Sequence, residues 1–247
     1  MSAPVRLFHV SDLHFGAEDR EALDWFAAEV ADQRPEAVIC TGDLTLRGRR
    51  REFAAAAEWL RALGVPVSVE PGNHDMPYYW NPIGRLFDPY ARYEEMRATV
   101  HSELVLDGVT VVPLKTVSRA QWRLNWSKGR VKDRDLAAAV AALEAAPGAG
   151  VRLIACHHPL VDADTHASGS TRGGRRALAA LAQAGAQAVL SGHVHDPFDR
   201  AVTTEGGAIR MIGAGTLSER VRSSRPSYNR LEWSPASGLS VQAMLMA

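Results

Sequence analysis

Residues 5–14 have the sequence VRLFHVSDLH, an apolar run that ends in an aspartate and a histidine. An apolar run of this length is typical of a buried strand. The alternate spacing of Asp12 and His14 predicts an extended backbone that points both side chains to the same side. Because ligands of open α/β sheets bind at the carboxyl ends of the strands, the segment predicts a first strand that leads directly into a ligand site.

The same arrangement recurs further along the chain, each time with metal-binding residue types after an apolar run. The segments are TGDL with Asp43, PGNHD with Asn73, His74 and Asp75, CHHP with His157 and His158, and SGHVH with His193 and His195. A lone histidine at a strand end is usually a hydrogen-bonded structural residue, and a lone Gly-Asp is usually a turn. All these segments together, each after a strand, argue against a purely structural role.

The side chains of these segments offer carboxylate, amide and imidazole groups, a set that suits divalent Mn, Fe, Zn or Co. The chain has two cysteines, Cys40 and Cys156, and both end apolar strand-like runs. We expect them to be buried free thiols, with a ligand role for Cys156 as the alternative. Two divalent metal ions are therefore expected, and a thiolate-bound structural zinc is not.

The order of the predicted elements indicates an α/β fold in one domain spanning residues 1–247. Strands at 5–10, 37–40 and 65–69 alternate with helices at 22–30 and 52–63, which is typical of a parallel sheet. Asp107-Gly108 predicts a hairpin between 104–106 and 109–114. A further helix is predicted through residue 98. The remaining predicted helices are 133–145 and 175–184, and the remaining strands are 151–156, 188–190, 198–204, 208–212, 228–233 and 239–245. We expect parallel pairing in the first half and antiparallel pairing in the second.

The composition is that of a soluble globular protein. Hydrophobic residues make up 46% of the 247 residues, enough for a sizeable core. Lys and Arg together number 28, as do Asp and Glu, so nothing in the charge balance suggests binding to a nucleic-acid polymer or an anionic membrane. The N-terminus lacks the features of a signal segment, and no apolar stretch is long enough for a bilayer. We expect a cytoplasmic protein.

The motifs D-x-H, GD, GNHD, a later His and GHxH together resemble those of the calcineurin-like metallophosphoesterases, from residue 5 to about residue 233. The resemblance implies a four-layer αββα sandwich in which two mixed sheets pack face to face with helices outside. It also implies a dinuclear metal site with Asp43 as the bridge. The implied ligands of one metal are Asp12, His14, Asp43 and His195, and those of the other are Asp43, Asn73, His157 and His193. His158 is the alternative to His157.

The resemblance further implies the activity of a phosphoesterase. Within the family, the motifs resemble those of the bacterial cyclic-nucleotide and glycerophosphodiester phosphodiesterase branch. We expect hydrolysis of small-molecule phosphodiesters, first of all cyclic nucleotides, by in-line attack of a metal-bridging hydroxide. The alternatives are a glycerophosphodiester, a nucleotide-linked lipid precursor or an alkyl phosphate as substrate. The alternative that is not an enzyme is a non-catalytic interaction protein with the same fold.

The GNHD segment also carries the predicted catalytic residue. The resemblance implies that His74 contacts the phosphoryl group, and it could protonate the leaving oxygen. Asp75 is expected either to orient the His74 imidazole or to cap a helix. Tyr78, Tyr79 and Trp80 follow at once, and they are predicted either to stack on a base of the substrate or to belong to the core.

Overall fold

A computed structural model describes residues 4–77, 87–118, 128–165 and 171–247, in which strands and helices alternate as far as residue 191 and four strands follow. The elements, in chain order, are β1 (Val5–Val10), α1 (Arg20–Gln33), β2 (Ala37–Cys40), α2 (Arg50–Ala62), β3 (Val67–Val69), α3 (Ala91–Val100), β4 (Val109–Pro113), α4 (Asp133–Ala145), β5 (Val151–Ala155), α5 (Gly174–Gln183), β6 (Ala188–Ser191), β7 (Phe198–Thr204), β8 (Gly207–Gly213), β9 (Ser227–Ser234) and β10 (Gly238–Leu245). None of the described helices is both long enough and apolar enough to cross a membrane.

The strands form two five-stranded sheets, with the orders β10-β9-β1-β2-β3 and β4-β5-β6-β8-β7. In the first sheet β1, β2 and β3 are parallel, whereas β9 and β10 pair in antiparallel fashion. In the second sheet β4, β5, β6 and β8 are parallel, and β7 is antiparallel to β8. The expected antiparallel second half is therefore wrong for β5, β6 and β8. Helix α4 crosses over from β4 to β5 and helix α5 from β5 to β6, and such connections give parallel pairing. Strand β7 makes the connection from β6 to β8.

Alternate residues of each strand face different layers, which divides the core. Phe8 and Val10 of β1 pack against the helices of the first sheet, while Leu7 packs against the other sheet. Leu153 and Leu190 of the second sheet belong to the same intersheet cluster as Leu7. A third cluster lies between the second sheet and its helices α4 and α5. The predicted four-layer αββα arrangement of two mixed sheets is confirmed.

A buried polar group ties the two sheets together near the carboxyl ends of β1 and β8. The Asn229 amide of β9 donates to the Gly213 carbonyl of β8 over 2.9 Å, and it lies 3.3 Å from His9 Nδ1. The other ring nitrogen of His9 lies 3.0 Å from Thr41 Oγ1. Burial lowers the pKa of His9 to about 3, so the ring is neutral and serves as a hydrogen-bonded structural residue.

The ends of the elements follow from local chemistry. The Asp19 carboxylate accepts from the Ala22 N–H over 3.1 Å and begins α1. Gly64, at φ 68°, has the left-handed conformation with which many helices end, directly after α2. β3 begins only at Val67, because Pro66 has no N–H for a strand ladder. The strand predicted at 104–106 is reduced to a single bridge between Leu106 and Val109.

Leu153→Ala should lower the free energy of unfolding by about 2–5 kcal/mol, because it leaves a cavity between the sheets. Leu153 is fully buried there. Leu245→Ala is the matched control, since Leu245 is 52% exposed, and it should change that free energy by less than about 0.5 kcal/mol. Urea unfolding followed by circular dichroism measures both. Equal losses in the two variants would contradict the placement of Leu153 in the intersheet core.

Candidate metal centre

The predicted ligands lie in loops that follow the carboxyl ends of parallel strands. Asp12 and His14 follow β1, Asp43 follows β2, and Asn73 follows β3, so these four emerge from the first sheet. The loops after β5 and β6 carry the other three, His157, His193 and His195, and therefore emerge from the second sheet. The carboxyl ends of the strands of the two sheets lie next to each other, and the candidate centre lies between the loops that follow them.

The loop backbone at the centre is left-handed. Within the described residues, positive φ occurs at few positions other than glycine, and most of these are predicted ligands: Asp12 at 57°, His14 at 46°, Asp43 at 51°, His193 at 71° and His195 at 62°. The extended backbone predicted for residues 12–14 is therefore wrong. Hydrogen bonds from Asp12 N to Gly42 O (2.9 Å) and from His14 N to Asp43 O (3.0 Å) hold this conformation. Such strain is typical of functional sites.

One group of ligand atoms gathers around Asp12. Its Oδ1 lies 3.1 Å from His195 Nε2 and 3.6 Å from His14 Nε2. The two Nε2 atoms lie 3.2 Å from each other. All three side chains are buried and offer ligand atoms within 4.8 Å of one another, a spacing that one metal ion could span.

A second group gathers around His157. Its Nε2 lies 3.4 Å from Asp43 Oδ2 and 3.2 Å from Asn73 Oδ1. The His193 ring lies 5.2 Å from the His157 ring, centroid to centroid. His158 also approaches this group, but its Nδ1 lies 3.0 Å from Thr116 Oγ1. Because His157 is close to both Asp43 and Asn73, it is better placed than His158 to bind the same metal ion as those two residues.

Each carboxylate uses one oxygen for the backbone and directs the other into the centre. Asp12 Oδ2 accepts from the His193 N–H over 2.8 Å, and Asp43 Oδ1 accepts from the His74 N–H over 2.7 Å. Asp12 Oδ1 is buried and has no hydrogen-bond partner among the described residues. Asp43 Oδ2 lies between His157 and His14, 3.8 Å from His14 Nε2. A buried oxygen that faces imidazole nitrogens and an oxygen shared by two groups of side chains fit a pair of cations.

The ligand imidazoles are oriented by backbone carbonyls. His14 Nδ1 lies 3.3 Å from Thr45 O, His157 Nδ1 lies 2.8 Å from Thr41 O, and His195 Nδ1 lies 2.7 Å from Arg220 O. An Nδ1–H that donates to a carbonyl leaves Nε2 as the free ligand atom, as is common at metal sites. The Nε2 atoms of all three residues face the centre.

The charges of the centre are balanced between carboxylates and imidazoles. Burial alone raises the pKa of Asp43, but the surrounding histidines, His157 foremost, hold it well below its usual value. The pKa of Asp12 is also held low, against burial, by His195 and His14. Burial lowers the pKa of His157 and the Asp43 carboxylate raises it, to about 9 overall. The protons on these histidines neutralise the carboxylates. Metal ions would take over that role and displace the protons, because an imidazole must lose a proton at the nitrogen that binds a metal.

His74 faces the centre from the loop after β3. Its Nδ1 lies 2.7 Å from Leu46 O, so that carbonyl orients the ring. The Asp75 carboxylate accepts instead from the N–H groups of Leu44, Thr45 and Gly72. Residues 73–76 form a turn and no helix. Asp75 therefore joins the loops after β2 and β3, and the structure supports neither role that the sequence suggests for it.

Arg220 is a site residue that sequence reasoning missed. Its Nη1 lies 3.1 Å from His74 Nε2 and 3.3 Å from His14 Nε2. A signal was present in the sequence, since SERVRSSR follows β8 and is rich in arginine. Because β8 is parallel to β6, the segment after it leads to the same sheet edge.

The predicted aromatic residues Tyr78, Tyr79 and Trp80 lie outside the described residues.

Comparison with known proteins gives matches over most of the chain. The family profile described as calcineurin-like phosphoesterase matches residues 5–197. Glycerophosphodiester phosphodiesterase GpdQ of Enterobacter lignolyticus is 35% identical over 80 residues, which are 28% of this chain and 29% of that protein. A probable glycerophosphodiester phosphodiesterase GpdQ of Arcobacter nitrofigilis is 29% identical over 191 residues, 76% of this chain. The match spans 65% of that second relative.

A solved structure has the same fold across the whole chain. It is a dimetal phosphatase from Danio rerio, with a TM-score of 0.66 and 15% sequence identity. The alignment covers 99% of this chain and 100% of that one. At this identity the likeness establishes the fold alone.

Gly72→Ala should weaken metal binding by about ten- to a hundredfold, the usual effect of displacing a ligand's support. An added Cβ at Gly72 would lie 2.1 Å from both Asp43 N and Asp43 Oδ1. Elemental analysis after dialysis against manganese should find about two metal ions in the parent and fewer in this variant. Gly148→Ala is the control, because an added Cβ there meets nothing within 4 Å. Full metal content in folded Gly72→Ala would contradict the placement of Asp43.

Proposed function

The chain belongs to the calcineurin-like phosphoesterase family, and on that premise we propose that it is a two-metal phosphodiesterase. The membership confirms the resemblance found from the motifs. The observation that carries the proposal is the position of Asp43 Oδ2, shared between the His14 side and the His157 side of the centre. A carboxylate oxygen between two groups of ligands suits two cations rather than one.

The residues of the chain would divide the work of phosphoester hydrolysis. Asp12, His14, Asp43 and His195 would hold one metal, and Asp43, Asn73, His157 and His193 the other. The metals would supply Lewis acidity for the phosphoryl group and a lowered pKa for water. His74 would act beside them, since its Nε2 is directed into the centre while Leu46 O fixes its Nδ1–H. When it is protonated at Nε2, an imidazole held in this way would direct that proton at the leaving oxygen.

Glycerophosphodiesters are the substrate class that we place first. Both curated relatives carry the name glycerophosphodiester phosphodiesterase. On the sequence alone, cyclic nucleotides come first. That order requires that Tyr78 and Trp80 stack on the base, and both residues lie outside those that the structure describes. Cyclic nucleotides are therefore the second candidate. The non-catalytic alternative is disfavoured, because every predicted ligand and His74 is present and gathered at the centre.

His74→Ala should keep its metals while kcat falls by about 10²–10⁴-fold, the usual contribution of a positioned acid. The loss should be smaller for substrates with a good leaving group such as nitrophenolate, which needs little protonation. Steady-state kinetics on an aryl and an alkyl diester, with metal content measured in parallel, provide the check. Equal losses on both diesters would show that His74 stabilises the transition state without giving a proton.

The manganese-loaded parent should hydrolyse a glycerophosphodiester with a higher kcat/KM than cyclic AMP, and diesters faster than their matched monoesters. A difference of about tenfold corresponds to about 1.4 kcal/mol of transition-state binding. The panel is a glycerophosphodiester, cyclic AMP, bis-nitrophenyl phosphate and nitrophenyl phosphate, with Asp43→Asn as the inactive control. A preference for the monoester would overturn the diesterase assignment. A preference for cyclic AMP would restore the substrate that the sequence suggested first.

A further inference from the structure

We propose that Arg220 binds the phosphoryl group of the substrate, donating from its guanidinium to the non-bridging oxygens. The inference rests on the proposed phosphodiesterase function and adds to it a residue outside the predicted site. The Arg220 Nη1 atom lies within 3.3 Å of His14 Nε2 and 3.1 Å of His74 Nε2. His14 is a proposed metal ligand and His74 the proposed proton donor, so the guanidinium lies beside the space that a phosphoryl group would occupy between the metals and His74.

The surroundings of Arg220 supply no negative charge for its guanidinium. Its contacts are with two imidazoles, and among the described residues no carboxylate oxygen lies within 4.0 Å of its side-chain nitrogens. Because no carboxylate of the described residues neutralises it, the half-buried guanidinium can take an anion as its partner. Phosphate suits this role, because the planar guanidinium can donate two parallel hydrogen bonds to its oxygens.

The backbone that presents Arg220 is fixed on the N-terminal side by hydroxyl groups. Thr216 Oγ1 donates to Asp12 O over 2.6 Å, and it lies 2.7 Å from Ser218 Oγ. The Arg220 N–H donates to Ser218 Oγ over 3.3 Å. This chain of hydrogen bonds connects the arginine to the loop that carries the first ligand.

The segment is fixed on the C-terminal side as well. Asp196 Oδ1 accepts from Ser223 Oγ over 2.6 Å and from the N–H groups of Ser223 and Ser224 over 3.2 and 3.1 Å. Arg220 O accepts in turn from His195 Nδ1. Anchoring on both sides, by partners adjacent to metal ligands, is what a preorganised binding group requires. A surface arginine without a function would not need it.

The simpler reading is that Arg220 only separates the two imidazoles that it touches. That role requires bulk and charge near His14 and His74, and its loss would disturb the metals. A phosphate-binding role predicts unchanged metals and weaker binding of any phosphate. The two readings therefore differ in an observation that needs no catalysis.

The test uses manganese-loaded parent, Arg220→Ala, Arg220→Lys and the control Arg222→Ala, whose arginine is exposed two positions further along. Isothermal calorimetry measures the Kd of inorganic phosphate, and elemental analysis measures the metal. Arg220→Ala should bind phosphate about ten- to a hundredfold more weakly, as expected for a lost hydrogen bond between charged groups. Arg220→Lys should recover only part of the affinity, because it lacks the fork. Arg222→Ala should match the parent.

Kinetics provide the second measurement. Arg220→Ala should lose at least about tenfold in kcat/KM on the preferred diester, and added guanidinium chloride should restore part of that loss. Phosphate affinity equal to that of the parent, or loss of metal from Arg220→Ala, would overturn the inference. A parent that binds phosphate through Arg220 and yet hydrolyses no phosphodiester would refute the proposed function and leave the inference standing.

Discussion

The buried charge of Asp43 is the feature on which the rest of the centre depends. One of its oxygens is fixed by the His74 N–H, and the other lies between His14 and His157. The neighbouring loop can approach this carboxylate only because residue 72 is a glycine, whose added Cβ would overlap Asp43. A buried carboxylate stays charged only if cations or donors surround it. The histidines supply that environment, and they are the groups a metal site needs.

The fold brings these groups together from two independent sheets. Parallel pairing of β1, β2 and β3 places Asp12, Asp43 and Asn73 at one edge. Parallel pairing of β5 and β6 does the same for His157 and His193 in the other sheet. The apolar layer between the sheets fixes how these edges face each other. Packing far from the centre thus sets the distances within it.

Sequence reasoning succeeded where local pattern decides the outcome. The bounds of β1, β2, α4 and β7 were predicted as observed, because hydrophobic runs and turn residues define them. The backbone of Asp12 and His14 was predicted as extended and is left-handed. Its conformation is decided by hydrogen bonds to the loop after β2, a contact that alternation in the sequence does not contain. Arg220 was missed for the same reason, since only the parallel pairing of β8 with β6 reveals where its segment leads.

The hydrogen bond between Asn229 and Gly213 crosses from one sheet to the other near the carboxyl ends of β1 and β8. Each proposed metal has ligands from both sheets, so the ions and this bond act on the same interface. Ions that bind only the native chain stabilise it by mass action, by about 2.7 kcal/mol at a hundredfold excess over Kd. With both ions bound, separation of the sheets would also require release of the ions. The melting temperature would then rise with the free metal concentration, and chelators would lower it.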